Sequence, residues 1–193
     1  MLGIILCGGQ SQRMGSDKGL MKLEEKNWAQ SAIDKMSALN IQVKISVNEQ
    51  QFPLYAEIFS KDNLIIDDKT LSIKGPLLGT LSCHLAFPSE DLFVLACDMP
   101  LMEISMLQSL YKKKEAQNSD AFVFTNDGEA EPLCGIYTAK GLAVTLTMFK
   151  NGVLIKHSMK FMLDHLTVSK IPLSEEEKKY FKNINHHSEL NGL

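Results

Sequence analysis

Five apolar residues in an unbroken run, Leu92-Phe93-Val94-Leu95-Ala96, stop abruptly at Cys97-Asp98-Met99-Pro100. So short a run without polar alternation reads as a buried parallel strand, covered by helices on both faces. Pro100 ends it and restricts Met99 to an extended backbone. The same pattern recurs upstream. Ile4-Ile5-Leu6 runs into Gly8-Gly9, Val43 to Val47 into Asn48, and Leu64-Ile65-Ile66 into Asp67-Asp68. Helical stretches lie between them. One is capped by Asn27 and runs to about Leu39, with Trp28, Ile33, Met36 and Leu39 near helical spacing. Others span Phe52 to Phe59 and Gly75-Pro76 to about Phe87. Such alternation predicts an α/β fold, a single-domain doubly wound, mostly parallel sheet of Rossmann-like design. Its ligands bind beyond the carboxyl ends of the strands, where the polar clusters fall.

The second half departs from strict alternation. A helix from about Ser105 to Gln117 precedes a strand from Ala121 to Phe124. Asn126-Asp127-Gly128 is a strong turn signal, so Glu131 to Tyr137 is expected to return as an antiparallel addition. Helices are expected over Ala139 to Phe149 and Leu154 to His165, then a strand over Val168 to Ile171 and a charged turn over Glu175 to Tyr180. Gly19 to Leu23 reads as extended. The 193 residues fit one domain, without repeat or linker. Residues 1–100 form the nucleotide-binding half, and residues 101–193 the half expected to hold an acceptor.

Chemistry concentrates at the strand ends. After the first strand the chain continues Leu6-Cys7-Gly8-Gly9-Gln10-Ser11-Gln12-Arg13-Met14-Gly15-Ser16-Asp17-Lys18. The glycines let backbone N–H groups approach a phosphate closely, and Arg13 and Lys18 supply charge-assisted bonds to its oxygens. The spacing is neither that of the ATPase phosphate loop nor that of a dehydrogenase dinucleotide site. Asp98, fixed by Pro100, is placed to hold a hard cation; Mg²⁺ is commonly held by one or two carboxylates plus substrate phosphates. Its competing role is a cap on the helix near Glu103. Asn48 and Asp68 share the sheet edge with Asp98, and Gly75 to Gly79 lets a helix start approach a base or ribose. These parts point to in-line attack on the α-phosphate of a nucleoside triphosphate, which needs no nucleophilic side chain.

Composition narrows the alternatives. A formal net charge of -3 without a clustered basic face gives no reason to expect nucleic acid. The four cysteines lack metal spacing and suggest no disulfide framework, as in a reducing cytoplasm. No stretch reads as a signal peptide or bilayer span, so a cytoplasmic protein without membrane contact is expected. The five histidines show no zinc spacing, and His186-His187 lies in a polar tail. No serine sits in a nucleophile elbow.

Leu6-Cys7-Gly8-Gly9 through Asp17-Lys18, then Gly75-Pro76-Leu77-Leu78-Gly79, then Cys97-Asp98-Met99-Pro100, resemble the molybdenum cofactor guanylyltransferases, the MobA family. Glu131-Pro132-Leu133 with Tyr137, and Phe181 with Asn183 and Asn185, match its later landmarks, so the resemblance covers nearly the whole chain. It implies that Leu6, Cys7 and Gly8 contact the guanine nucleotide, that Lys18 binds its phosphates with Arg13 nearby, and that Asn48 and Asp68 are nucleotide-binding. Asp98 is the implied Mg²⁺ ligand. The implied reaction joins GMP from GTP to the terminal phosphate of Mo-molybdopterin and releases pyrophosphate, the product passing to a molybdoenzyme or its chaperone. A monomer or weak oligomer is expected.

Three positions depart from the family pattern. Cys7 replaces the usual Ala, Asn183-Ile184-Asn185 runs into His186-His187 rather than Thr-Pro, and Lys160 replaces an expected Arg. The last two lie in the acceptor half, and Lys160, Asn183 and Asn185 are the expected acceptor-binding residues. The alternatives are a related cytidylyl- or sugar-phosphate nucleotidyltransferase and a non-catalytic nucleotide-binding protein.

Overall fold

The structure, a computed structural model, describes residues 1–8, 17–23 and 25–182. Its centre is a seven-stranded sheet of β1 (Leu2–Leu6), β4 (Gln42–Val47), β5 (Leu64–Ile66), β6 (Leu92–Ala96), β7 (Ala121–Asn126), β8 (Glu129–Tyr137) and β9 (Val168–Pro172), in the order β5-β4-β1-β6-β8-β7-β9. A separate two-stranded ribbon is formed by β2 (Lys22–Leu23) and β3 (Lys26–Asn27). Helices are α1 (Trp28–Ser37), α2 (Phe52–Ala56), α3 (Pro76–Ala86), α4 (Ile104–Ala116), α5 (Ala139–Lys150) and α6 (Met159–Leu163).

The unbroken apolar runs become the strands buried on both sides. Every residue of β1 and of β6 is buried, and the two pair in parallel, Leu2 with Leu92 through Leu6 with Ala96. Ile5, Phe93, Leu95 and Phe122 face the core shared with α1, α2 and α4; Ile4, Val94 and Val123 face the one shared with α3 and α5. The two-faced core is what a doubly wound sheet requires. One expectation is refined: β6 is parallel only to β1, and its other neighbour is the antiparallel β8. Strand β8 alone runs against the rest of the sheet.

The β7–β8 turn follows its sequence signal, with φ of 50° at Asp127 and 85° at Gly128. The ladder then shifts, pairing Phe124 with Glu131 but Val123 with Gly135. Pro132 lies in the resulting bulge, lacks a ladder donor, and offers its carbonyl to the Tyr137 hydroxyl at 2.6 Å. Asn27 caps α1 as expected, accepting from Gln30 N at 2.7 Å.

Two local expectations need correction. The helix expected over Leu154 to His165 reduces to α6, because Gly152 (φ 69°) ends the preceding turn and Ser158 caps a new start by accepting from Phe161 N. Gly19 to Leu23 is not wholly extended: Lys18–Leu20 is a 3-10 turn started by Asp17, whose carboxylate accepts from Gly19 N. All four cysteines are free and buried. Among the described residues no helix is long and apolar enough to cross a membrane.

Candidate active site

From β1 the chain winds outward to β4 and β5, then crosses back to β6 on the other side of β1. The strand order therefore reverses between β1 and β6, and in open sheets of this kind the ligand crevice lies beyond the carboxyl ends at that reversal. Cys97 N donates to Leu6 O at 3.1 Å, so Cys7-Gly8 and Cys97-Asp98 leave the sheet side by side. Here the structure brings together Lys18 and Asp98, 80 positions apart: Lys18 Nζ lies 3.4 Å from Asp98 Oδ2. Their side chains are 21% and 20% exposed, reachable by a ligand yet largely shielded from water.

The other carboxylate oxygen, Asp98 Oδ1, is buried and has no hydrogen-bond partner among the described residues. Buried polar oxygens are normally satisfied, so this one calls for a reason. It is not a cap. Helix α4 begins at Ile104 behind Glu103, and no side chain caps it. Lys35 of α1 donates to Pro100 O at 2.6 Å and so pins the segment that follows Asp98. Burial lowers the pKa of Lys35, opposed by the nearby Glu103. Among the described residues no three His, Cys, Asp or Glu side chains gather into a metal cage. A lone carboxylate with one unsatisfied oxygen suits a cation that takes its remaining ligands from phosphates and water, the habit of Mg²⁺.

On the β4 side, Cys7 N and Gly8 N both donate to Ser46 O, at 2.9 and 3.2 Å. A Cβ on Gly79 would lie 2.5 Å from Ser46 Oγ and 3.1 Å from Leu6 Cδ2, so only glycine lets α3 lie this close to β1 and β4. Asp67 occupies the gap between Gly8 and Gly79, its oxygens 3.3 and 3.5 Å from where their Cβ atoms would be. Burial raises its carboxyl to about 6, partly offset by the Ser46 hydroxyl. The neighbouring Asp68 faces elsewhere. Its Oδ1 accepts from both the backbone N–H and the hydroxyl of Thr70 at 2.7 Å, and these bonds lower its pKa.

Asn48 reaches the same edge, but its Oδ1 accepts from Gln51 N at 2.9 Å while Gln51 Oε1 accepts from Asn48 N at 3.0 Å. This reciprocal pair has the capping-box pattern and closes the turn that leads into α2. Gln51 Nε2 in turn donates to Cys7 O at 2.9 Å and to Asp17 Oδ2, and the Tyr55 hydroxyl donates to Asp17 Oδ1 at 2.7 Å.

Lys160 stands apart from this crevice. Its Nζ bonds Glu129 Oε2 at 2.8 Å, and with Lys170, Leu163 and Ala130 it lines a cleft of about 470 Å³ between α6 and the β7–β8 turn. Gly9, Arg13, Asn183 and Asn185 lie outside the described residues. The sequence reading missed Asp67, Gln51 and Tyr55. Only the Asn48-x-x-Gln51 spacing, a capping-box pattern, carried a usable signal.

Comparison with known proteins agrees with this geometry. The profile of the MobA-like NTP transferase domain matches residues 3–166. A molybdenum cofactor guanylyltransferase of Campylobacter jejuni is 31% identical, the match covering 96% of this chain and 91% of that protein. A Flavobacterium johnsoniae protein named "Probable molybdenum cofactor guanylyltransferase" is 29% identical over 98% of this chain and 94% of its own length. Among solved structures, molybdopterin-guanine dinucleotide biosynthesis protein A from Archaeoglobus fulgidus superposes with a TM-score of 0.81 at 24% identity, covering all of this chain and 96% of that one. The 2-C-methyl-D-erythritol 4-phosphate cytidylyltransferase of Francisella tularensis shares the fold at a TM-score of 0.68 and 11% identity, over 99% of this chain and 96% of that one. A family match over most of the chain, on a sheet whose crevice carries paired Lys18 and Asp98, makes this protein a nucleotidyltransferase of the MobA-like NTP transferase family.

Proposed function

We propose that this nucleotidyltransferase is a molybdenum cofactor guanylyltransferase, joining GMP from GTP to the terminal phosphate of Mo-molybdopterin. The observation that carries the transfer chemistry is the Lys18–Asp98 pair at the β1/β6 crevice, whose second carboxylate oxygen is unsatisfied among the described residues. The two substrates are those implied by the names of relatives matching nearly the whole chain. An oxygen of the acceptor phosphate attacks the α-phosphorus of GTP, a new P–O bond forms in line, and the α–β bridge breaks to release pyrophosphate.

Lys18 and Arg13 hold the triphosphate as cations, and Leu6, Cys7, Gly8 and Gly9 serve as nucleotide-binding residues. Gly79 lets α3 close over the same edge. Asp67, which faces the gap between Gly8 and Gly79, is added as an acceptor for the N–H groups of guanine. Asp68 and Asn48, with side-chain oxygens already bonded to Thr70 and Gln51, support the nucleotide mainly by shaping the strand ends. Enzymes of this family generally work with a divalent metal, which we read as Mg²⁺ on Asp98. When bound, it neutralises charge that builds up on the phosphates. Lys160, paired with Glu129 beside a cleft on the β7–β9 side, serves the acceptor together with Asn183 and Asn185.

Calorimetric titration with GTP, ATP, CTP and UTP in the presence of Mg²⁺ tests the reading. GTP is expected to bind most tightly; tighter binding of CTP or UTP would favour a cytidylyl- or sugar-phosphate nucleotidyltransferase instead.

A further inference from the structure

Helix α2 lies outside both the glycine-rich stretch and the sheet, yet Tyr55 within it and Gln51 just before it reach the chain on either side of residues 9–16. Gln51 Nε2 donates both to Cys7 O, at the end of β1, and to Asp17, immediately before Lys18. Tyr55 is fully buried and donates its hydroxyl to Asp17 Oδ1 at 2.7 Å. Asp17 Oδ1 also accepts from Gly19 N at 3.0 Å, so the backbone on both sides of Lys18 is tied to this one carboxylate. The fit is close. A Cβ on Gly19 would lie 2.1 Å from the Tyr55 hydroxyl, which leaves no room for any other residue there. Gln51 is itself fixed by its reciprocal bonds with Asn48.

We infer that Gln51 and Tyr55 are positioning residues for phosphate binding, holding Lys18 against the crevice by gripping Asp17 and the Cys7 carbonyl from α2 and the residue that precedes it. A lysine is a flexible point charge, so its value to a phosphate depends on how firmly its backbone is placed. The packing role of α2 is separable from the grip: the Tyr55 ring stacks on Phe59 at 5.8 Å between centroids, a contact that does not use the hydroxyl. Burial beside Cys7 and Cys97 raises the phenol well above its ordinary pKa, so it stays a donor throughout the working range. The inference rests on reading Lys18 as the phosphate-binding cation.

The test is a double-mutant cycle on Mg²⁺-dependent binding of inorganic triphosphate, a probe independent of base and acceptor. Tyr55→Phe is expected to weaken binding roughly tenfold in the wild-type background, in line with the sensitivity of bound geometry to small misplacements. In a Lys18→Ala background it is expected to have no further effect. Gln51→Leu, whose side chain lies nearer the surface, is expected to repeat the pattern and serves where Tyr55→Phe does not fold. Equal losses in both backgrounds would overturn the inference and leave a purely structural role. Unchanged affinity in Lys18→Ala alone would instead remove the phosphate role of Lys18, and the inference with it.

Discussion

Asp98→Asn removes one charge at nearly constant shape, and the surroundings of that side chain fix what should follow. Two effects on stability oppose each other. Lys18 loses an ionic partner at 3.4 Å, which for a pair about one-fifth exposed is worth about 1–2 kcal/mol. Against this, Asp98 Oδ1 is buried without a partner among the described residues; the amide leaves a polar atom there but no charge, and a neutral group at that position costs about 1–3 kcal/mol less to bury. The net change is expected within about 1 kcal/mol, a Tm shift of roughly 2–4 °C for a chain of this size. Activity should respond very differently. The carboxylate anchors the charge that balances the triphosphate in the transition state, and its loss should raise the barrier by several kcal/mol, roughly a hundredfold or more in turnover. Differential scanning fluorimetry and pyrophosphate release, measured on the same preparation, separate the two. A Tm drop beyond about 10 °C would assign Asp98 to the scaffold, and normal turnover in a folded variant would place the metal elsewhere.

Lys18→Ala is expected to weaken GTP binding at least tenfold with an unchanged circular dichroism spectrum, checked by calorimetry, since its Nζ faces the crevice rather than the core. Gly79→Ala should lose about 1–3 kcal/mol in urea titration, because its Cβ would lie 2.5 Å from Ser46 Oγ on a packed helix. For Asp67, a folded-state pKa raised by burial from 3.8 to about 6 means the contribution is fully present below pH 3.8 and is lost as pH rises through 6. Asp67→Asn should therefore be more stable than wild type at pH 8, by about 1 kcal/mol in urea titration after solvent screening, and not at pH 3.5. Lys160→Ala should slow turnover at low molybdopterin and leave GTP affinity unchanged in equilibrium titration, because Lys160 bonds Glu129 away from the β1/β6 crevice.

The outline of this site was legible because burial and strand ends leave strong marks in a sequence. A five-residue apolar run stopped by Asp98 and Pro100 allows few folds, and Lys18 could be placed from the glycines before it. The Asn126-Asp127-Gly128 turn was equally plain, since positive φ at two successive residues selects such residues. What escaped depends on which of several similar side chains faces inward. Asp67 and Asp68 are adjacent and chemically identical; strand alternation turns one under α3 and the other toward Thr70. Tyr55 sits in a five-residue helix too short for periodicity to reveal a buried face, and Gln51 precedes it in a turn that has no periodicity at all. The helix expected from Leu154 begins only at Met159, because Leu154 is buried from a loop that leaves Ile155 exposed and Ser158 caps the new start, a choice that apolar content does not mark. The alignment of β6 with an antiparallel β8 was hidden for a simpler reason: a strand buried on both faces looks the same whichever way its neighbour runs.

The guanylyltransferase assignment is tested most directly by pyrophosphate release from GTP with and without Mo-molybdopterin, with Mg²⁺ present. It predicts release that depends on the pterin, matched mole for mole by molybdopterin guanine dinucleotide. Release that ignores the pterin, or that proceeds as fast from CTP as from GTP, would contradict it.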